Sequence, residues 1–240
     1  MDLKEEDILG DKIGEHWYYV SKGRAMRAFL GDLKANQILD VGAGSGIFSK
    51  QLLDLNIAQS AVCVDPNYPE ERREDWHGKS IEFVKSLKSG GQELVLMMDV
   101  LEHVPDDVAL LKEYVDQMPK GAHLLITVPA FQFMWSGHDV FLEHYRRYTI
   151  EMMETATREA GLTPIKSRYF FGALFPVVAI IRLAKKLLLE RGQVKAQSEL
   201  KLYPDGLNKT LIAIHDIERQ SLFNINKLYG LSVFCLCRKD

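Results

Sequence analysis

The sequence predicts an α/β protein built on a doubly wound, mostly parallel sheet, and three observations carry that expectation. Short apolar runs that read as buried strands alternate with helical periodicity along the 240 residues, and such alternation closes into a parallel sheet with right-handed crossovers. The run Gln37-Ile38-Leu39 enters Asp40-Val41-Gly42-Ala43-Gly44-Ser45-Gly46, and a helical pattern starting at Ile47 leaves it. That is the strand, glycine turn and helix by which such sheets bring a cofactor against bare backbone. Nineteen residues beyond Gly46, Asp65 ends the next apolar run, Ala61-Val62-Cys63-Val64. The spacing is close to the roughly 20 residues at which an acidic side chain meets ribose hydroxyls.

Composition limits the function classes. With 47% hydrophobic and 26% charged residues the chain can bury a full core, and its length suits one domain over residues 1–240. A net charge of −3 gives no field that advertises nucleic-acid binding. Cys63, Cys235 and Cys237 lie in apolar runs and read as buried free thiols of a reducing compartment, with no Cys/His partners to complete a zinc site. The polar, acidic opening, Met1 to Asp7, has no signal-peptide core, so the expected location is cytoplasmic.

Residues 14–33 read as a helix covering the sheet. Met26, Phe29, Leu30 and Leu33 form its apolar stripe. The four rings of His16-Trp17-Tyr18-Tyr19 cannot all face one core, which leaves some of them for a ligand, a lid or solvent. A strand over about 36–41 and a helix over about 44–55 flank the glycine turn. Asp65 is read as accepting from both ribose hydroxyls, or as a turn residue before Pro66. Residues 66–79 are charged and turn-rich and are expected to form a loop or short helix. A third strand follows at 81–84, then a fully apolar fourth strand at 94–98 that runs into Asp99. A helix at about 107–117 and a fifth strand at 122–128, stopped by Pro129, complete this half.

Two features argue against a dinucleotide at the glycine turn. The glycines run G-x-G-x-G, and Asp40 precedes them. A carboxylate there repels a pyrophosphate but suits a cofactor with a cationic amine. Together, Asp40 to Gly46, Asp65-Pro66 and Asp99-Val100-Leu101-Glu102-His103-Val104-Pro105-Asp106 resemble the class I S-adenosylmethionine-dependent methyltransferases. The closest variety is the small-molecule type that includes the ubiquinone and menaquinone biosynthesis enzymes and related bacterial methyltransferases.

The resemblance covers about residues 30–170. It implies that Asp40, Gly42, Ala43, Gly44 and Gly46 hold the methionine moiety of S-adenosyl-L-methionine, that Asp65 with Pro66 holds the ribose, and that Asp99, Val100 and His103 line the cofactor cleft. The product would be S-adenosyl-L-homocysteine. The segment Phe83-Val84-Lys85-Ser86-Leu87 lacks the Asp that often meets the adenine amine, which leaves Ser86 or backbone atoms for that task. Glu102-His103 supplies two ligand types and cannot complete a metal site by itself, so no metal is expected.

A second constellation follows the fifth strand. Residues 131–149 hold six aromatic rings, His138, His144, Asp139, Arg146 and Arg147, at the sheet edge where ligands bind. Related bacterial methyltransferases often carry a similar His-Asp…His…Arg-Arg-Tyr signature. His138 or His144 is a candidate general base with Asp139 orienting it. Arg146 and Arg147 are candidates to grip a carboxylate or phosphate of the acceptor. Alternatively Asp139 pairs with an Arg and Tyr148-Thr149 caps the next helix. A His-Asp-His metal centre is permitted by the spacing but lacks a fourth ligand.

A helix at 150–160, ended by Gly161, leads to a strand at 164–170. The apolar stretch 171–189 is broken by Pro176 and three basic residues. Val177, Ile180, Ile181, Ala184, Leu187 and Leu188 make one apolar face, with Arg182, Lys185 and Lys186 off it. Between 166 and 201 eight Lys/Arg stand against two Glu, which suits an interfacial helix or a lid, or else a helix packed on its own domain. Residues 191–206 read as a mobile loop, 207–222 as a helix and 231–237 as the last strand. The resemblance implies a seven-stranded Rossmann-like sheet of order 3-2-1-4-5-7-6 with the last strand antiparallel, and 171–222 as a helical insertion or lid.

The function expected is methyl transfer to a small-molecule or lipid-like acceptor, with peripheral membrane contact through 171–189 and no nucleic-acid partner. Methylation of a protein or RNA, and a non-catalytic membrane-associated cofactor-binding role, are the alternatives. The charge, the Asp99-Val100-Leu101-Glu102 segment in place of an Asn/Asp-Pro-Pro-Tyr motif, and the intact glycine turn count against them.

Overall fold

The structure, a computed structural model, describes residues 9–190 and 201–240. Among them, eight strands form one sheet: β1 Gln37–Val41, β2 Ser60–Val64, β3 Arg72–Trp76, β4 Lys79–Val84, β5 Leu94–Met98, β6 His123–Pro129, β7 Leu162–Phe170 and β8 Ser232–Lys239. Their order is β3-β4-β2-β1-β5-β6-β8-β7. Strands β4, β2, β1, β5 and β6 pair in parallel, and β8 runs antiparallel between β6 and β7. The helices are α1 Trp17–Leu30, α2 Ile47–Asp54, α3 Asp107–Val115, α4 Gly137–Phe141, α5 Ile150–Glu159, α6 Phe175–Glu190 and α7 Asp205–Ser221.

The pleat sorts side chains into two layers. Leu94, Leu96 and Met98 of β5 join Ile38, Cys63 and Phe83 on one face, where Met26 and Phe29 of α1 and Phe48 and Leu52 of α2 cover them. Val95 and Met97 join Leu39, Val62 and Ile126 on the other, beneath Leu111 of α3 and Met153 of α5. Every β5 residue is buried, because a central parallel strand with helices on both faces has no solvent side. All three cysteines are free and buried.

One expected element is different. The charged stretch at 66–79 holds neither a loop alone nor a helix: Arg72–Trp76 is an antiparallel edge strand paired to β4. Its two-residue turn, His77-Gly78, has φ of 52° and 81°, the positive values that a tight hairpin with the right-handed strand twist requires. The strand carries charge rather than apolar alternation because it closes an open edge. With β3 set aside, the other seven strands follow the order expected.

Of the two readings of this helix, α6 turns much of its apolar face outward rather than packing it on the domain. Val177, Ile180 and Ile181 are exposed, Ile180 at 70%, while Arg182 is only 9% exposed and faces inward. The reason is electrostatic, since Arg182 Nη1 lies 4.0 Å from the fully buried carboxylate of Asp139. Most of the loop expected at 191–206 lies outside the described residues. Among the described residues, no helix is long and apolar enough to cross a membrane.

α1 is fastened to the carboxyl end of β5. Lys22 is fully buried and its ammonium pairs with Asp99, which also accepts from Tyr18 Oη at 3.0 Å and from Thr127 Oγ1 at 3.2 Å. Burial alone would raise the Asp99 carboxyl, but the charge and hydrogen bond of Lys22 outweigh it and hold the group below its ordinary value. Replacing Lys22 with Met should strand a half-buried carboxylate and cost about 3 kcal/mol. Urea denaturation should show that loss, with part of it recovered in Lys22→Met/Asp99→Asn.

Candidate active site

β1 delivers the chain to a turn in which Gly42, Gly44 and Gly46 have φ of 64°, 53° and 68°, conformations that L side chains rarely adopt. A Cβ on Gly42 would come within 2.8 Å of Val100 Cγ2, so Val100 packs directly on the turn and leaves no room for a side chain there. The amides of Gly42 and Ala43 donate to the Val64 carbonyl at 2.7 and 3.3 Å, tying the turn to β2. Asp40 is turned under it and accepts from Ser49 Oγ at 2.8 Å. Burial pushes the Asp40 carboxyl up to about 6, against the pull of the Ser49 hydroxyl. This gives Asp40 a bracing position below the turn.

Asp65 is buried at the end of β2, where its Oδ1 accepts from the Asn67 amide at 2.9 Å. Pro66 beside it is exposed. Tyr68 donates its hydroxyl to the Gly44 carbonyl at 2.6 Å, linking the Asp65 turn to the glycine turn. Nothing in the sequence marks Tyr68 for this role. A bare left-handed turn between two strand-end carboxylates fits a ligand with a ribose and a cationic amine.

Beside this turn, at the carboxyl ends of β5 and β6, lies a cavity of about 230 Å³. His16, Trp17 and Tyr18 of the α1 entry line one side, Glu102, His103, His138, His144 and Arg147 another, and Val178 and Arg182 of α6 a third. The ring cluster foreseen at 16–19 therefore divides: three rings meet the cavity, while Tyr19 is in the core. Asn208 of α7 holds the start of α1, accepting from the Trp17 amide at 2.8 Å and donating to the Glu15 carbonyl at 2.9 Å.

Asp139 organises the second constellation. Ser136 and Asp139 form a capping box that starts α4, the Ser136 amide donating to Oδ2 at 2.8 Å. His144 Nδ1 lies 2.9 Å from Asp139 Oδ1, and Arg147 Nε donates to the same oxygen at 2.7 Å. Burial opposes ionisation of Asp139, but the His144 hydrogen bond and the Arg147 charge prevail and hold it well below the usual carboxylate range. The carboxylate is thus charged, which favours the His144 tautomer with the proton on Nδ1 and the lone pair on Nε2. Both readings of Asp139, orienting a histidine and pairing an arginine, describe this one geometry.

Two residues grouped with these by sequence sit elsewhere. Arg146 pairs with Asp107 at 3.0 Å and also donates to the Pro105 carbonyl. The Tyr148 hydroxyl is 2.7 Å from Asp107 Oδ2 and 3.2 Å from the Leu101 carbonyl. Both brace the start of α3 and line no part of the cavity, because the chain reverses side at each step of the extended segment 145–148. His103, expected near the cofactor, packs edge-to-face on His144 in the cavity wall at a ring separation of 4.6 Å. Arg182 joins the cavity wall and Lys22 pairs with Asp99 of that wall without having been singled out for it, and burial followed by the charge of Asp99 pushes the Glu102 carboxyl well above its usual range.

A doubly wound sheet with a bare glycine turn and a carboxylate closing the next strand defines a protein that binds a nucleoside-containing cofactor at the switch point. The chain belongs to the methyltransferase domain family, whose model matches residues 16–167. A ubiquinone biosynthesis O-methyltransferase of Xanthomonas oryzae pv. oryzae is 27% identical over 105 residues, 40% of this chain and 44% of that protein. The match thus spans less than half the length of this relative. An S-adenosylmethionine-dependent methyltransferase of Archaeoglobus fulgidus superposes with a TM-score of 0.54 at 16% identity, over 99% of this chain and 98% of that one. A structure of the Haloferax volcanii Trm112 methyltransferase activator complex superposes with a TM-score of 0.56 at 14% identity, over 99% and 94%.

Two outcomes follow from the local chemistry. A carboxyl raised from 3.8 to about 6 in the folded state loses stability as pH rises through that window, and about two pKa units correspond to about 3 kcal/mol. Asp40→Asn should therefore be more stable than the parent above pH 6 by up to that amount, with the gain fading towards pH 4 in urea melts. Tyr148→Phe should lower stability by about 1–2 kcal/mol through the lost bond to Asp107, while calorimetry finds cofactor affinity unchanged.

Proposed function

We propose that this enzyme methylates a small, amphiphilic acceptor bound in the 230 Å³ cavity. The observation that carries the reading is the cavity's composition: rings and aliphatic side chains on two sides, and a histidine and arginine cluster on the third. Asp99 lines it, and the next residue, Val100, packs against Gly42 of the glycine turn. Bound at that turn, S-adenosyl-L-methionine supplies a methyl group on a positively charged sulfur, already a good leaving arrangement. The work left to the chain is to align the acceptor, exclude water and remove a proton where the acceptor carries one.

Residues Asp65 and Gly42 to Gly46 hold the donor in this reading, with Asp40 acting from beneath the turn. Asp139 fixes His144 and Arg147 with opposite offers to an acceptor, a lone pair from the imidazole and hydrogen bonds from the guanidinium. His138, also on the cavity wall, is a second group able to take the proton. Helix α6 acts as part of a lid, contributing Val178 and Arg182 to the cavity. The same helix exposes Val177, Ile180 and Ile181, and nearby Ile225 and Leu228 are exposed at 72% and 79%. Such a surface around a cavity mouth suits an acceptor with a hydrocarbon tail, drawn from a membrane surface.

The donor assignment is tested by calorimetry. Gly44→Arg and Asp65→Ala should each abolish S-adenosyl-L-methionine binding, and affinity unchanged in Gly44→Arg would overturn it. The acceptor assignment is tested by cofactor turnover against extracted lipids and small metabolites. Ile180→Ser/Ile181→Ser should lower liposome co-sedimentation and turnover of lipid acceptors while leaving cofactor affinity intact. Equal co-sedimentation by parent and variant removes the membrane contact from the reading.

A further inference from the structure

We propose that Glu102, His103 and His144 form a binding site for one divalent transition-metal ion in the wall of the acceptor cavity. A ligand atom from each of the three lies within 4.8 Å of the others. Two imidazoles and one carboxylate are a donor set that suits zinc, manganese or ferrous iron. Small rotations about the side-chain bonds bring such atoms to the spacing an ion demands.

Two further observations point to a ligand there. Glu102 is 1% exposed, and its Oε2 is buried without a hydrogen-bond partner. A buried carboxylate oxygen left without a partner is costly and calls for a physical cause, and a cation coordinated by it is one. The second is the support around His144. Asp139 takes its Nδ1 at 2.9 Å, the outer carboxylate that orients a metal-bound imidazole and raises its basicity, and Nε2 remains for the ion.

The two segments are also fastened to each other at this point. Glu102 and His103 arrive on the single helical turn Leu101–His103, and the amide of Tyr145, next to His144, donates to the Glu102 carbonyl at 2.7 Å. Three protein ligands leave coordination positions open towards the cavity. An acceptor oxygen bound there would be fixed in place and made more acidic. His144 Nε2 then serves the ion, and His138 is left to take the proton. The ion's role in the reaction rests on the acceptor reading above, but its binding does not.

The test uses the full chain without a histidine tag, stripped with chelator and titrated with Zn2+ by calorimetry and with Co2+ by visible absorption. One equivalent of each should bind, with Co2+ giving ligand-field bands of a low-symmetry nitrogen and oxygen site. His103→Ala and Glu102→Gln should each weaken binding about tenfold or more, and Asp139→Asn by about 10–100-fold. His77→Ala, on the distant β3–β4 turn, should bind as the parent does. S-adenosyl-L-methionine affinity and thermal melts of the same samples establish that each variant is folded. Asp65→Ala should lose the cofactor and keep the metal, which separates failure of the donor assignment from failure of this one. Absence of a one-equivalent site in the parent overturns the proposal. So does affinity unchanged in folded His103→Ala and Glu102→Gln, or equally weakened in His77→Ala.

Discussion

The acceptor side of the molecule depends on one fully buried carboxylate. Asp139 accepts from Ser136 to start α4, holds His144 and Arg147 on one oxygen, and faces Arg182 from α6. A charge so far from water persists only if cations and donors surround it. Each partner is therefore drawn inward: Ser136, His144 and Arg147 from the segment after β6, and Arg182 from α6. The loop after β6, the helix it starts and the first turns of α6 take their positions from the same few oxygen–nitrogen distances. With Arg182 drawn in, the helix must turn its aliphatic face outward, which leaves Val177, Ile180 and Ile181 in solvent. The exposed apolar surface is thus a consequence of the buried charge.

A second buried charge pair performs the same service on the donor side. Lys22 and Asp99 fix α1 across the carboxyl end of β5, beside the point where the strand order reverses between β1 and β5. Ligands of open parallel sheets bind at such a point because the helices leave on opposite faces and a crevice remains. Here α1 closes part of that crevice and brings His16, Trp17 and Tyr18 to the acceptor cavity. Asp99 lines the cavity and Val100 packs against Gly42 of the glycine turn, so the cavity and the turn are both referred to one strand end.

Much of the fold is legible in the sequence because it rests on local rules. Apolar runs, the glycine turn and the alternation of strand and helix each follow from neighbours in the chain. The exceptions are instructive. Arg72–Trp76 is a strand without apolar alternation, held by its partner β4 and a turn of His77-Gly78 rather than the usual Asn-Gly. α6 shows a clear apolar stripe, yet its orientation is decided by a carboxylate 43 residues away in sequence. In the site, Asp40, Asp65 and the glycines are legible because their spacing along the chain reflects the spacing of a strand and a turn. Glu102 and His144 are 42 positions apart, and only the return of the loop beneath α4 joins them. Arg146 and Tyr148 were grouped with Arg147 by proximity in sequence, but an extended segment sends neighbours to opposite sides.

Four carboxyls close to these ligands differ in charge by environment alone. Asp99 and Asp139 have cations against them and are held low, whereas Asp40 and Glu102 lie among apolar or like-charged neighbours and are pushed up. Pairs of acids driven apart in this way divide the labour of a site. The two low ones build structure, since their charge is already matched by Lys22 or by Arg147 and Arg182. The two high ones retain an unspent demand for positive charge. Asp40 lies under the glycine turn, and Glu102 lines the cavity with two imidazoles beside it. A cation at each place would turn an unfavourable buried acid into a favourable pair. That asymmetry separates Asp99 and Asp139, whose charge is matched by neighbouring cations, from Asp40 and Glu102, whose ionisation burial opposes.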